Sequence, residues 1–228
     1  MVTKINDKKL KVSLIINIIV VILVTMASIF MFAGIKFMRE ESLLEVTKLE
    51  MFKFFTVDSN IFLGVISLIM IIYEIKYLRK KIIEIPNFVY ILKLVGTSSI
   101  ALTFLITLFF LCPQYGFYSL YNNSNLFFHL TIPVLAIISY LFFEPHNNKY
   151  KYAVYGIIPM LVYSIYYTSM VLLHLNDGGL TLKYDFYGFL KGNINNIYIV
   201  MPIIYIISYL ISLGVIYLNK KIGDYSEE

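Results

Sequence analysis

The residues of this chain with chemical potential are few and fall in two short segments. Met51-Phe-Lys-Phe-Phe-Thr-Val-Asp-Ser-Asn60 places Thr56, Asp58, Ser59 and Asn60 within five consecutive positions. Asn125-Leu-Phe-Phe-His-Leu-Thr-Ile-Pro133 carries His129 four residues before Pro133. A hydroxyl beside a neutral imidazole has a defined use. The ring takes the hydroxyl proton as oxygen attacks an acyl carbonyl, then returns it to the leaving group. Asn60, one helical turn beyond Thr56, is placed to donate to a developing oxyanion, with Ser59 beside it at the same pocket. At about 100° per residue, Thr56, Asn60, Leu63 and Ser67 share one helix face, while Asp58 points roughly opposite Thr56. The same residues also suit a structural part. Ser and Thr in membrane helices bond their own backbone or a neighbouring helix, and a His with a Pro marks a polar contact or a kink.

The surrounding composition says what must hold them. Of 228 residues, 59% are hydrophobic and 14% charged, against about 45–50% and about 25% in soluble domains. That excludes an ordinary soluble domain, and it excludes a disordered chain, which needs low hydrophobicity. A bilayer core of about 30 Å takes about 20 helical residues. Runs of that length occur near Val12–Gly34, Met51–Tyr73, Phe88–Leu111, Asn125–Phe143, Tyr152–Leu173 and Ile197–Leu218. The expectation is an all-α polytopic bundle of six transmembrane helices forming a single transmembrane domain over residues 1–228. The first run is too long for the apolar core of a signal peptide and reads as a retained span.

With the N-terminus inside, the inside segments hold twelve Lys and Arg, Lys4 among them, and the outside segments six, Arg39 among them. A two-to-one bias over short loops predicts both termini inside. The net charge of +5 therefore reports topology, and no nucleic-acid partner is expected. In this orientation Thr56 and His129 both sit roughly 6–8 Å below the outer boundary by helical rise, so they can meet at one depth.

The remaining candidates are weaker. His146 and His174 fall at opposite ends of the spans, so no metal site is expected, and no cofactor motif is present. Lys93, near the start of the third span, is expected to snorkel to the interface. Thr97, Ser98, Ser99, Thr103 and Thr107 read as helix contacts, with Thr103 or Thr107 able to line a cavity. Few intramembrane charges of the kind used in proton or ion relays are expected. Asp58, Asp177 and Asp185 are the carboxylates weighed as orienting groups for His129. The outer loop His174–Asn196, with Tyr184, Phe186, Tyr187 and Phe189, either folds over the outer mouth or rests on the headgroups. A single cysteine, Cys112, rules out an internal disulfide. The enrichment in Ile, Asn, Lys and Tyr suggests a bacterial cytoplasmic membrane.

Four segments in order carry a family resemblance: Phe55-Thr-Val-Asp-Ser-Asn-Ile61, His129-Leu-Thr-Ile-Pro133 running on to Phe143-Glu-Pro145, Ile158-Pro-Met-Leu-Val-Tyr163 and Tyr184-Asp-Phe-Tyr-Gly-Phe-Leu190. Together they resemble the prokaryotic Pr-six-Pr family of integral membrane proteins. That family is similar to the eukaryotic androgen-induced-gene and androgen-dependent TFPI-regulating proteins, six-span hydrolases of fatty acid esters with an intramembrane threonine and histidine. The resemblance implies Thr56 as nucleophile and His129 as base, membrane lipids as partners and a lipid ester as substrate. It is carried by the prokaryotic branch, and Val57-Asp-Ser-Asn60 replaces a more apolar eukaryotic sequence. The alternative is a non-enzymatic lipid or small-solute transporter, or a helix-bundle scaffold.

Overall fold

The computed structural model describes residues 7–38 and 46–222, so Lys4 and Arg39 lie outside the described residues. Six of its helices are long and apolar enough to cross a membrane: α1 (Asp7–Ala33), α2 (Phe55–Leu78), α3 (Asn87–Tyr115), α4 (Ser124–Phe143), α5 (Tyr150–Leu173) and α6 (Ile194–Ile222). No strand occurs among the described residues. Lipid leaves the backbone no other partner than itself, so helices are the spanning structure that these apolar runs can form. The chain is an all-α, multi-pass integral membrane protein.

Five of the helices meet through polar side chains at one end. Ser13 near the start of α1, Glu74 late in α2, Lys93 early in α3 and Glu144 just after α4 are joined by hydrogen bonds and an ion pair, and Asn219 near the end of α6 bonds the Glu144 carbonyl. This is called the basal end, and the end where α2 begins is the distal end. α3 is the most enclosed helix, with 67% of its most apolar window buried, against 28% for α1. It packs on α2, α4, α5 and α6.

Glycines set the closest approaches. A Cβ on Gly96 of α3 would lie 2.9 Å from Ile66 Cδ1 of α2, and one on Gly156 of α5 would lie 2.5 Å from Ser212 Cβ of α6. Small residues at such crossings are how membrane helices gain packing contact without a hydrophobic drive.

Three prolines each follow a widened, π-type turn. These turns span Thr107–Leu111, Phe127–Thr131 and Ser139–Phe143, and Pro113, Pro133 and Pro145 stand two residues beyond them. A proline ring collides with the carbonyl four residues back and supplies no N–H. Letting the residue before it bond five residues back relieves the collision within a continuous helix.

Replacing Gly156 with valine is expected to destabilise the protein by about 1–3 kcal/mol, the cost of overpacking. Gly214→Ala, in open space on α6, should leave stability equal or higher. Thermal unfolding of the detergent-solubilised protein measures both.

Candidate functional site

Thr56 sits in the first turn of α2, where unpaired backbone N–H groups await acceptors. Tyr187, from the loop between α5 and α6, supplies one: Phe55 N–H donates to its hydroxyl at 2.9 Å. The same phenol lies against the Thr56 and Tyr163 hydroxyls, and burial pushes it up to about 12, so it stays protonated at neutral pH. Tyr163 in turn donates to the Lys53 carbonyl at 2.6 Å.

The loop is therefore folded onto the bundle. Asp185 pins it there. Its buried carboxylate accepts from the Tyr167 hydroxyl, from Phe189 N–H at 2.9 Å and from Leu190 N–H at 3.0 Å. Phe186 and Leu190 join the main apolar core. Asp185 is thus committed to the loop and does not orient His129. Asp177 is exposed, and Asp58 lines a separate cavity of about 290 Å³ with Pro159, Val162 and Tyr166.

Beneath the loop lies an apolar cavity of about 330 Å³ between α2, α3, α5 and α6. Its polar wall groups are Thr56, Thr103, Thr107, Tyr163, Tyr187 and Lys191. Lys191 holds a left-handed backbone (φ 47°) between Gly188 (φ 66°) and Gly192 (φ 77°), a conformation that costs a lysine and not a glycine.

His129 stands elsewhere. It is buried in the π-type turn of α4, its Nδ1 is 2.7 Å from the Leu120 carbonyl, and its ring meets Tyr121 edge-on at 6.0 Å. A carbonyl only accepts, so Nδ1 carries the proton and Nε2 is the bare nitrogen. No hydrogen bond joins His129 to Thr56 among the described residues, and His129 is not on the cavity wall. Asn60 links their two helices instead. Its amide donates to the Thr56 carbonyl at 2.7 Å and to the Phe128 carbonyl at 3.1 Å. In this widened turn Ile132 N–H bonds the Phe127 carbonyl, and Pro133, the next residue, has no N–H for the Phe128 carbonyl that Asn60 caps. Ser59 bonds the Thr56 carbonyl and Thr103 Oγ1, each at 3.1 Å. Thr103 and Thr107 do line the cavity, as two of the readings for α3 allowed.

The largest departure lies at the basal end. Lys93 does not snorkel: it is fully buried and 3.4 Å from the equally buried Glu144. It donates to Asn17 Oδ1 and, at 3.2 Å, to Ser67 Oγ. Glu74, with no exposed surface, joins through Ser13 and Asn17. Ser139 donates to Glu144 Oε1 at 2.6 Å. Intramembrane charges are therefore present. A signal for them existed, since the helical face through Thr56, Asn60 and Ser67 reaches Glu74 two turns later.

Comparison with protein-family models, curated proteins and solved structures finds no match to this chain.

Asp185→Asn is expected to weaken the bonds that pin the loop. Amide exchange of residues 178–192 should accelerate about ten- to a hundredfold, about 1.4–2.7 kcal/mol of local opening, while exchange in α3 stays unchanged. Hydrogen exchange read by mass spectrometry checks both.

Proposed function

We propose that this chain binds a single-chain anionic amphiphile, such as a long-chain fatty acid, in the distal cavity. The observation carrying this reading is the cavity itself: about 330 Å³ of mostly apolar wall with hydroxyls and one cation at the loop, within the size range of small-molecule sites. Phe110 and Ile203 at its rim are exposed on the outside of the bundle, at 44% and 50%, where lipid tails would lie. An acyl chain entering there keeps its tail among α3 and α6 residues. Its head meets Lys191 and the Thr56 and Tyr187 hydroxyls. In the orientation that the Lys and Arg bias favours, this mouth opens toward the outer leaflet.

Hydrolysis of an ester-linked lipid is the second reading. It is favoured by the Thr56 hydroxyl on the cavity wall, by the likeness to Pr-six-Pr proteins, and by a His129 held at Nδ1 so that Nε2 is the basic atom. It requires His129 to approach Thr56 when substrate is bound, since catalytic contacts in empty sites are often long.

Saturable binding of a radiolabelled long-chain fatty acid by the protein in neutral-lipid nanodiscs tests the first reading. Lys191→Glu should weaken it about tenfold, about 1.4 kcal/mol, and Ile204→Trp should abolish it by filling the cavity. Binding unchanged in both variants defeats the proposal. Labelling by a fluorophosphonate that is lost in both Thr56→Ala and His129→Ala establishes the hydrolase, and labelling that persists in both removes it.

A further inference from the structure

The basal cluster has a proton count that its side chains do not meet in their ordinary ionised states. Ser13 Oγ contacts two carboxylate oxygens, Glu74 Oε1 and, at 3.2 Å, Glu144 Oε1. It has one hydrogen and can donate to one of them. Asn17 Nδ2 brings two hydrogens, yet it faces Ser13 Oγ and Glu144 Oε1 at 3.2 Å and both Glu74 oxygens at 3.5 Å. Ser139 and Lys93 converge on Glu144 Oε1 as well. The second carboxylate contact of Ser13 is an oxygen-to-oxygen approach that needs one more hydrogen.

Charge gives the same count. Two carboxylates and one ammonium leave a net negative charge with 0–1% exposure, a state that low-dielectric surroundings penalise heavily. One added proton neutralises the group. Glu144 Oε2 shows the same shortage of hydrogens: among the described residues this fully buried oxygen has no hydrogen-bond partner, which disfavours the ionised carboxylate.

We infer that Glu74 and Glu144 form a binding site for one proton, shared across Ser13 and balanced by Lys93. A metal cation suits the site less well. The Lys93 ammonium already occupies the cation position among Asn17 Oδ1, Ser67 Oγ and Glu144 Oε1. Among the described residues, the other side chains bonded into the site are uncharged. α1 contributes Ser13 and Asn17, α2 Ser67 beside Glu74, and α4 Ser139 beside Glu144. α6 contributes Asn219, which donates to the Tyr140 and Glu144 carbonyls. The titratable ring next along the chain is His146, stacked on Tyr90 at 4.0 Å. Burial pushes His146 down to about 4, so its charging falls on the acid side, below the ordinary histidine range. Loss of the shared proton leaves an unbalanced carboxylate and lowers stability as pH rises, the opposite direction. When the proton leaves, α1, α2 and α4 lose a common bonding arrangement. Uptake and release are therefore tied to the packing of these helices.

Infrared spectroscopy of the purified full chain in nanodiscs, titrated from acid to alkaline pH, tests this. The expected result is a protonated-carboxyl band at neutral pH that shifts when glutamate is isotope-labelled, disappears at alkaline pH and is insensitive to sodium. Glu74→Gln and Glu144→Gln should each remove it and flatten the alkaline fall in melting temperature, since either leaves one carboxylate for Lys93. Absence of a glutamate band in the wild type overturns the inference even if neither variant folds. So does a band that survives in both variants, or one displaced by sodium.

Discussion

Lys93 has no exposed surface, so its ammonium must be satisfied by oxygens on other helices. Asn17 from α1, Ser67 from α2 and Glu144 from the end of α4 supply them. The basal ends of four helices are thereby fixed to one another by a single side chain. A buried ion pair is weak evidence of net stability, because desolvation offsets much of the attraction. Its consequence is positional. Any rearrangement that separates Lys93 from Glu144 strands a charge, at about 3–5 kcal/mol, so the alternative packings of α1 to α4 are disfavoured more than the native one is favoured.

The proline turns explain how the required side chains come to face inward. Glu144 N–H bonds the Ser139 carbonyl at 3.1 Å, and the side chains of the same two residues bond each other at 2.6 Å. An unbroken α-helix would place residues five apart on different faces. The widened turn before Pro145 therefore brings Ser139 and Glu144 together inside the cluster. The turn before Pro133 does comparable work distally, turning His129 toward Leu120 and exposing the Phe128 carbonyl to Asn60. In lipid an unpaired carbonyl is costly, so Asn60 is accounted for by this bond.

The spans were legible because apolar runs of bilayer length admit few other structures. The face shared by Thr56, Asn60 and Ser67 followed from helical periodicity alone, and all three lie in the bundle interior or on the cavity wall. Lys93 was not legible in the same way. Its inward course depends on Glu74 and Glu144, 19 and 51 residues distant in sequence, and a lysine near a helix end ordinarily reaches outward. The partner of His129 is the backbone carbonyl that ends a single helical turn (Phe117–Leu120) in the connection between α3 and α4, bounded by Gly116 (φ 83°) and Asn123 (φ 50°). No side-chain pattern encodes such a bond. Asp185 was visible as a carboxylate in an aromatic run, but its donors, two backbone N–H groups and the Tyr167 hydroxyl, converge on it only once the loop has closed.

Between the basal cluster and the distal cavity the bundle is tightly packed. Leu63, Ile66 and Ile100 are 0–2% exposed, and at Gly96 the α2 and α3 surfaces meet so closely that a methyl group would lie 2.9 Å from Ile66. A layer of this kind lowers the local dielectric on both sides, which strengthens the ion pair below it and the Tyr187 contacts above. It also separates the two polar regions mechanically into one that locks helix ends and one that receives the loop. α3 crosses both, contributing Lys93 below and Thr103 and Thr107 above. A displacement of α3 along its axis would act on the ion pair and the cavity wall together. α3, the most enclosed helix, is thus the element common to the two polar regions.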